Sequence, residues 1–177
     1  NITDRMIAQQ ELEYQAMHDA LTGLYNRHYF EMTLRHMAAT SERGNSTHAL
    51  LYIDLDHFKV VNDTLGHHHG DVVLRQIAQL LEDRLRESDV LCRIGGDEYA
   101  VLLFDTDCEH ATRVANTLCG IIEDYKCILN GQLFEISCSI GISNICGTAG
   151  NYDEYLMQAD SALYVAKKRG RNQTHVY

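Results

Sequence analysis

Arg93-Ile94-Gly95-Gly96-Asp97-Glu98-Tyr99 joins two short β runs, Asp89 to Ile94 and Tyr99 to Asp105. Adjacent glycines open a tight turn between the runs, so the stretch is predicted to be a β-hairpin. The same glycines clear side chains away from the backbone, which lets a ligand approach closely. Two acids, Asp97 and Glu98, follow at once. A hairpin in a chain that otherwise interleaves strands and helices excludes a wholly parallel sheet. The predicted class is α/β, with a mixed, largely antiparallel central sheet flanked by helices.

Upstream, Ala49 to Asp56 reads as a β run ending in two more acids. Asp54 and Asp56 lie two apart and share a face, with Leu55 pointing the other way. If this run lies beside the hairpin, Asp54 and Asp97 converge at one edge of the sheet. Clustered carboxylates repel one another and favour a cation, and hard oxygen ligands select Mg²⁺ or Mn²⁺. Spacing alone leaves the alternative open that these are solvated turn acids. Beyond them the pattern predicts a helical turn near Phe58 to Leu65 and a break from Gly66 to Gly70. A long helix then runs from about Asp71 to Arg86 on Val72, Leu74, Ile77, Ala78, Leu81 and Leu85. His67, His68 and His69 read as polar loop residues, since adjacent loop histidines point apart and lack the i,i+4 partner of a metal site.

On the outer flanks, Asn26 is a predicted N-cap for a helix on Phe30, Leu34 and Met37, closed by Gly44-Asn45-Ser46. A helix from about Glu109 to Tyr125, a hairpin at Asn130-Gly131 and a strand through Phe134 to Ile145 follow. The last helix, Tyr152 to Lys168, is stopped by Gly170. Thr3 to Met17 contains good helix formers with only scattered apolar residues. That suits a connector helix packing on another copy or another domain.

Composition narrows the function classes. Of 177 residues 45% are apolar, enough to bury a core, which excludes a disordered chain. Fifteen basic against 25 acidic residues give a net charge of −10, which argues against a nucleic-acid polymer as partner. Phosphate chemistry must therefore rest on a few placed cations. No apolar stretch approaches the roughly 20 residues that span a bilayer. Six cysteines without a C-x-x-C pair read as reduced, so a cytoplasmic location is expected, which includes the cytoplasmic part of a membrane-attached sensor. The chain starts at Asn1 rather than Met and is expected to be a fragment of something longer.

The hairpin segment resembles the signature of the GGDEF domain of diguanylate cyclases, with Tyr99 where Phe is usual. The resemblance runs from about His18 to Asn172. Asp19-Ala-Leu-Thr-Gly-Leu-Tyr-Asn26-Arg27 is similar to the family's entry motif. Asp54-Leu-Asp-His-Phe-Lys59-Val-Val-Asn62-Asp63 and Gly66-His-His-His-Gly70-Asp71 are similar to its nucleotide loops. Asp160-Ser-Ala-Leu-Tyr164-Val-Ala-Lys167-Lys-Arg-Gly170-Arg171-Asn172 resembles its closing helix.

The resemblance implies a palm-like, nucleotidyl cyclase-like fold. It also implies condensation of two GTP into cyclic di-GMP, with release of two pyrophosphates, across a homodimer. Residues 1–17 then form the connector helix and 18–177 the catalytic domain, with an upstream sensory or receiver domain beyond this fragment. Carried over, Asp54, the Leu55 carbonyl and Asp97 hold two Mg²⁺ (or Mn²⁺) per active site, and Asp97 or Glu98 takes the proton. Asn62 and Asp71 read guanine: a carboxylate accepts from N1–H and N2–H₂, donors that adenine lacks there. Asp71 as a helix N-cap is the alternative. The backbone amides of His57 and Phe58, with Lys59, Lys167 and Arg171, bind phosphate. Lys167 and Arg171 share a face if the last helical turn persists past Gly170.

Arg86-Glu87-Ser88-Asp89, just ahead of the signature, resembles the family's R-x-x-D inhibitory site for cyclic di-GMP. An arginine fork suits guanine O6 and N7, and Asp89 accepts from the other edge. A surface ion pair on a helix end is the bland alternative. At Tyr99 the added hydroxyl is expected to reach solvent or a partner at a strand start. The functional alternatives are a non-catalytic receptor for cyclic di-GMP or GTP, and a cyclase of different nucleotide choice.

Overall fold

Ten residues of alternating sidedness organise the molecule. The computed structural model describes residues 1–44, 46–147 and 150–177. In it β1 (Thr47–Asp56) is the middle strand of a five-stranded sheet of order β2-β3-β1-β6-β7. The other strands are β2 (Val90–Gly95), β3 (Glu98–Leu103), β6 (Ser137–Cys146) and β7 (Gln173–Val176). Ala49, Leu51, Ile53 and Leu55 point into one core and Leu50 and Tyr52 into the other, the period of two that a strand imposes. The first core packs under α3 (Phe58–Leu65), α4 (His67–Glu82) and α5 (Cys108–Asp124). The second packs under α2 (Arg27–Arg43) and α6 (Tyr152–Lys168). All pairings in this sheet are antiparallel except β6 with β7. The α6 helix lies directly on β6 because residue 141 is glycine; a Cβ there would come within 2.9 Å of Leu163 Cβ.

The hairpin at 93–99 forms as expected, with Gly96 at φ +51°, a left-handed turn conformation that glycine adopts without strain. Asn26 caps α2 by accepting from the Tyr29 amide. Asn130 and Gly131, both at positive φ, turn the small hairpin of β4 (Cys127–Leu129) and β5 (Gln132–Phe134), which forms its own two-stranded sheet. The first helix, α1 (Ile2–Met17), buries no side chain. Asn45 of the expected Gly44-Asn45-Ser46 stop lies outside the described residues.

The structure departs from expectation in four places. The break between α3 and α4 is Gly66 alone, at φ +86°, and His67 to His69 are the first turn of α4 instead of a loop. Gly70 lets α3 pack closely on this helix: a Cβ there would collide with Asn62 Oδ1 and lie 3.2 Å from Phe58 Cζ. Asp71 is consequently inside α4, not its N-cap, and α4 ends at Glu82 rather than Arg86. The expected strand from Phe134 to Ile145 is two strands, since β5 closes at Phe134 and β6 opens at Ser137. Finally, β7 was not expected; its polar residues are strand because β6 offers them a parallel edge.

Candidate active site

The β1–β3 register sets Asp54 opposite Glu98, which brings the two acidic segments to one end of the sheet. The Leu55 amide donates to the Asp97 carbonyl at 3.2 Å and ties the turn to β1. Asp54 is mostly shielded, and Lys167 Nζ from the end of α6 donates to its Oδ2 at 2.8 Å. Burial pushes the Asp97 carboxyl above its ordinary range, and the neighbouring Asp54 charge pushes it further. Glu98 is raised the same way, by burial and then by Asp54 and Asp97. Asp54, Asp97 and Glu98 thus act on one another electrostatically with one ammonium, on Asp54, to offset them, an excess of negative charge that a divalent cation would relieve.

That donor set fits a metal. Among the described residues no three His, Cys, Asp or Glu side chains form a ready cage. Mg²⁺ is commonly held by one or two carboxylates, with water and substrate phosphates completing the shell, so a sparse set of oxygens suits it. A cavity of about 200 Å³ opens beside the acids. Asp54, Leu55 and Asp97 line it together with His57, Phe58, Lys59, Lys167 and Arg171. Acidic and basic side chains share this cavity with the start of α3, where His57 at φ +56° supplies no side-chain cap. Lys167 and Arg171 meet there by a route other than helix continuation. The α6 helix stops at Lys168, and Gly170 (φ +115°) and Arg171 (φ +62°) turn the chain back.

Asn62 and Asp71 lie apart from this cavity, half-buried on α3 and α4, and the Gly70 contact packs the two helices together between them. Arg86 and Asp89 form a third locality. They sit in the turn after α4, where the Asp89 carboxylate accepts the Arg86 backbone amide at 3.0 Å. No side-chain ion pair joins them among the described residues. The Arg86 guanidinium instead donates to His110 Nε2 on α5 at 2.9 Å. Tyr99 does not reach solvent: it is fully buried and its hydroxyl donates to the Leu74 carbonyl of α4 at 2.8 Å.

Two supporting devices escaped the sequence reading. Asp56 is buried and accepts from Ser139 Oγ, Ser137 Oγ and the Asn172 amide at 2.7, 2.7 and 3.0 Å, which anchors the turn carrying Arg171 to β1. Its only sequence signal was its spacing from Asp54. Arg93 donates through Nε and Nη2 to the Gly96 carbonyl at 3.1 and 2.8 Å, and through Nη1 to Asp19 at 3.0 Å. Burial raises the Asp19 carboxyl, but the Thr22 hydroxyl and amide and the Arg93 charge outweigh it and hold Asp19 below its ordinary range. The turn that carries Asp97 is thereby braced against the segment that follows α1.

Residues 16–173 match the family model described as "Diguanylate cyclase, GGDEF domain". The chain is 41% identical over 177 residues to the probable diguanylate cyclase DgcE of Escherichia coli, covering all of this chain and 16% of that protein. It is 37% identical over 164 residues to diguanylate cyclase DgcS of Shewanella oneidensis, covering 92% of this chain and 53% of that protein. The chain thus spans about half or less of these relatives. Among solved structures it is similar to the coiled coil and GGDEF domain of DgcB from Caulobacter crescentus in complex with c-di-GMP. That match has a TM-score of 0.93 and 25% identity, over 99% of this chain and 93% of that one. The GGDEF domain of PA1120 (YfiN or TpbB) from Pseudomonas aeruginosa matches with a TM-score of 0.82 and 36% identity, over 88% of this chain and 97% of that one.

Proposed function

The chain belongs to the GGDEF-domain family of diguanylate cyclases, and on that premise we propose that it condenses two GTP into cyclic di-GMP and two pyrophosphates. In each half-reaction a ribose 3′-oxygen attacks the α-phosphorus of the other GTP, the bond to pyrophosphate breaks, and the hydroxyl proton leaves to a base. The observation that carries the reading is one cavity lined by Asp54 and Asp97 together with Lys59, Lys167 and Arg171. Asp54, Asp97 and the Leu55 carbonyl would hold two Mg²⁺ or Mn²⁺. Bound there, such ions supply acidification of the 3′-hydroxyl and neutralisation of charge at the phosphates.

The chain's own residues do the rest. The His57 and Phe58 amides and Lys59 take phosphate oxygens at the start of α3, and Lys167 and Arg171 take them from the end of α6 and the turn after it. Asn62 and Asp71 read the guanine edge, and adenine would leave the carboxylate desolvated and unpaired. Glu98 or Asp97 receives the proton. One site holds one GTP, so the two halves of the reaction must face each other across a two-fold axis. The apolar side chains that α1 leaves exposed, Ile2, Met6, Ile7 and Leu12, support its role as the connector that sets this geometry, downstream of a sensory or receiver domain. Arg86 and Asp89 bind the product and give feedback inhibition. The receptor alternative has less support, because both signature acids are present.

The test is incubation of the chain with GTP and Mg²⁺ at several protein concentrations, with products identified by mass. Cyclic di-GMP forming faster than linearly with protein concentration is the expected result. Asp97→Ala is expected to abolish it while the protein stays folded. No product at high concentration, with cyclic di-GMP still bound, would replace this reading by the receptor one.

A further inference from the structure

The chain after α6 leaves ordinary backbone geometry for three residues running. Gly170, Arg171 and Asn172 have φ of +115°, +62° and +46°. Glycine adopts this region without strain, and asparagine visits it more readily than most residues. Arginine does not: its Cβ crowds a neighbouring carbonyl oxygen, so the conformation persists only where surrounding contacts enforce it. Yet Arg171 is the one of the three that lines the cavity with Asp54 and Asp97.

Among the described residues, four hydrogen bonds hold Arg171 and Asn172 in this shape. The Arg171 amide donates to the Ala166 carbonyl at 3.1 Å, and Gln173 Nε2 donates to the Arg171 carbonyl at 2.9 Å. The Asn172 amide donates to Asp56 at 3.0 Å, and Asn172 Nδ2 donates to Glu123 Oε1 of α5 at 2.8 Å. Two helical turns before Glu123, on the same face of α5, Asn116 Oδ1 accepts from the Thr174 hydroxyl of β7 at 2.8 Å. Glu123 does not line the cavity that holds Arg171, so its influence there passes through Asn172. A guanidinium on a relaxed, exposed turn would have to be ordered each time a triphosphate arrives. One on a turn fixed beforehand avoids that cost.

We propose that Glu123 and Asn172 are positioning residues for Arg171, holding a strained turn so that its guanidinium stands ready in the cavity for the phosphates of GTP. The inference rests on the reading of Arg171 as a phosphate ligand and extends it to α5, which contributes no residue to that cavity. The strain at Arg171 is then retained for binding: relieving it strengthens the fold and weakens the hold on GTP.

Calorimetric titration of the full chain with α,β-methylene-GTP and Mg²⁺ tests this without requiring turnover, with a thermal melt of each variant and a product assay of the parent beside it. Glu123→Ala and Asn172→Gly, the latter keeping the backbone conformation, are each expected to raise Kd roughly two- to tenfold, the loss of one hydrogen bond. Glu123→Gln, which keeps the acceptor oxygen, is expected to bind like the parent chain. Arg171→Gly is expected to melt at a higher temperature and to bind more weakly. On that background Glu123→Ala is expected to change Kd no further, since the group it positions is gone. Unchanged Kd in both Glu123→Ala and Asn172→Gly, or a further loss from Glu123→Ala on the Arg171→Gly background, would overturn the positioning role. Unchanged Kd in Arg171→Gly would overturn the phosphate reading of Arg171 and the inference with it. A lower melting temperature in Arg171→Gly would overturn the strain. A parent chain that binds the analogue but makes no cyclic di-GMP would overturn the proposed reaction and not the positioning, and one that does not bind it would overturn both.

Discussion

Gly70→Ala tests the proposed reading of guanine by Asn62 separately from folding. A Cβ at this position falls inside the contact radius of Asn62 Oδ1, 3.0 Å from Asn62 Cγ and 3.2 Å from Phe58 Cζ. Ordinary carbon contacts lie at about 3.5–4.0 Å, so Cγ must retreat by roughly half an ångström and Oδ1 by more. A short side chain accommodates that only by changing rotamer, which removes its oxygen from the position proposed to read guanine. Leaving polar groups of the bound base unpaired costs about 1–3 kcal/mol, or roughly 5- to 150-fold in KM for GTP. Stability should move far less. Alanine in a helix interior gains up to about 1 kcal/mol over glycine, and the local crowding costs a similar amount. Initial rates of cyclic di-GMP formation against GTP concentration, with a thermal melt beside them, read both quantities. A folded variant whose KM stays within about twofold of the parent would refute the placement of Asn62 against guanine.

Two further perturbations address the acids and their brace. Asp97 and Glu98 carry raised carboxyl pKa values, so protons compete with the cation from a higher pH than for ordinary carboxylates. The Mg²⁺ concentration for half-maximal rate is expected to climb as pH falls toward those values, and a flat Mg²⁺ requirement in titrations at several pH values would contradict it. Asp19→Asn removes the charge that faces Arg93 and is expected to cost about 1–3 kcal/mol of unfolding free energy at neutral pH. Because the Asp19 pKa is lowered by folding, that contribution is present above the ordinary carboxylate value and fades as pH falls through the lower folded one. Urea titrations should therefore show parent and variant converging in acid.

Legibility in the sequence followed the range of the interactions. The hairpin at 95–96 and β1 were readable because their signals are local: a glycine pair, and an unbroken apolar run that buries both faces. Convergence of Asp54 with Asp97 needed only one assumption about strand neighbours. The helical turn at His67–His69 was hidden, since weak helix formers and a glycine occupy it, and the compensating contact comes from Asn62 and Phe58 on another helix. Asp56 looked like a second site acid until Ser137, Ser139 and Asn172, more than 80 residues away, took up its oxygens. Tyr99 could not be assigned a partner because Leu74 offers a backbone carbonyl, which no residue type announces.

The central position of β1 has a consequence for how the protein fails. Enzyme sites are often mounted on loops that open independently of the body. Here Asp54 is carried by the strand paired on both edges, flanked by side chains with essentially no exposure, so it belongs to the last part of the molecule to open. Asp54 therefore shares the lifetime of the whole fold. Lys59, exposed near the start of α3, is expected to yield earlier. Partial damage by heat or denaturant would accordingly leave a domain that retains Asp54 in place while the proposed hold of Lys59 on the triphosphate loosens.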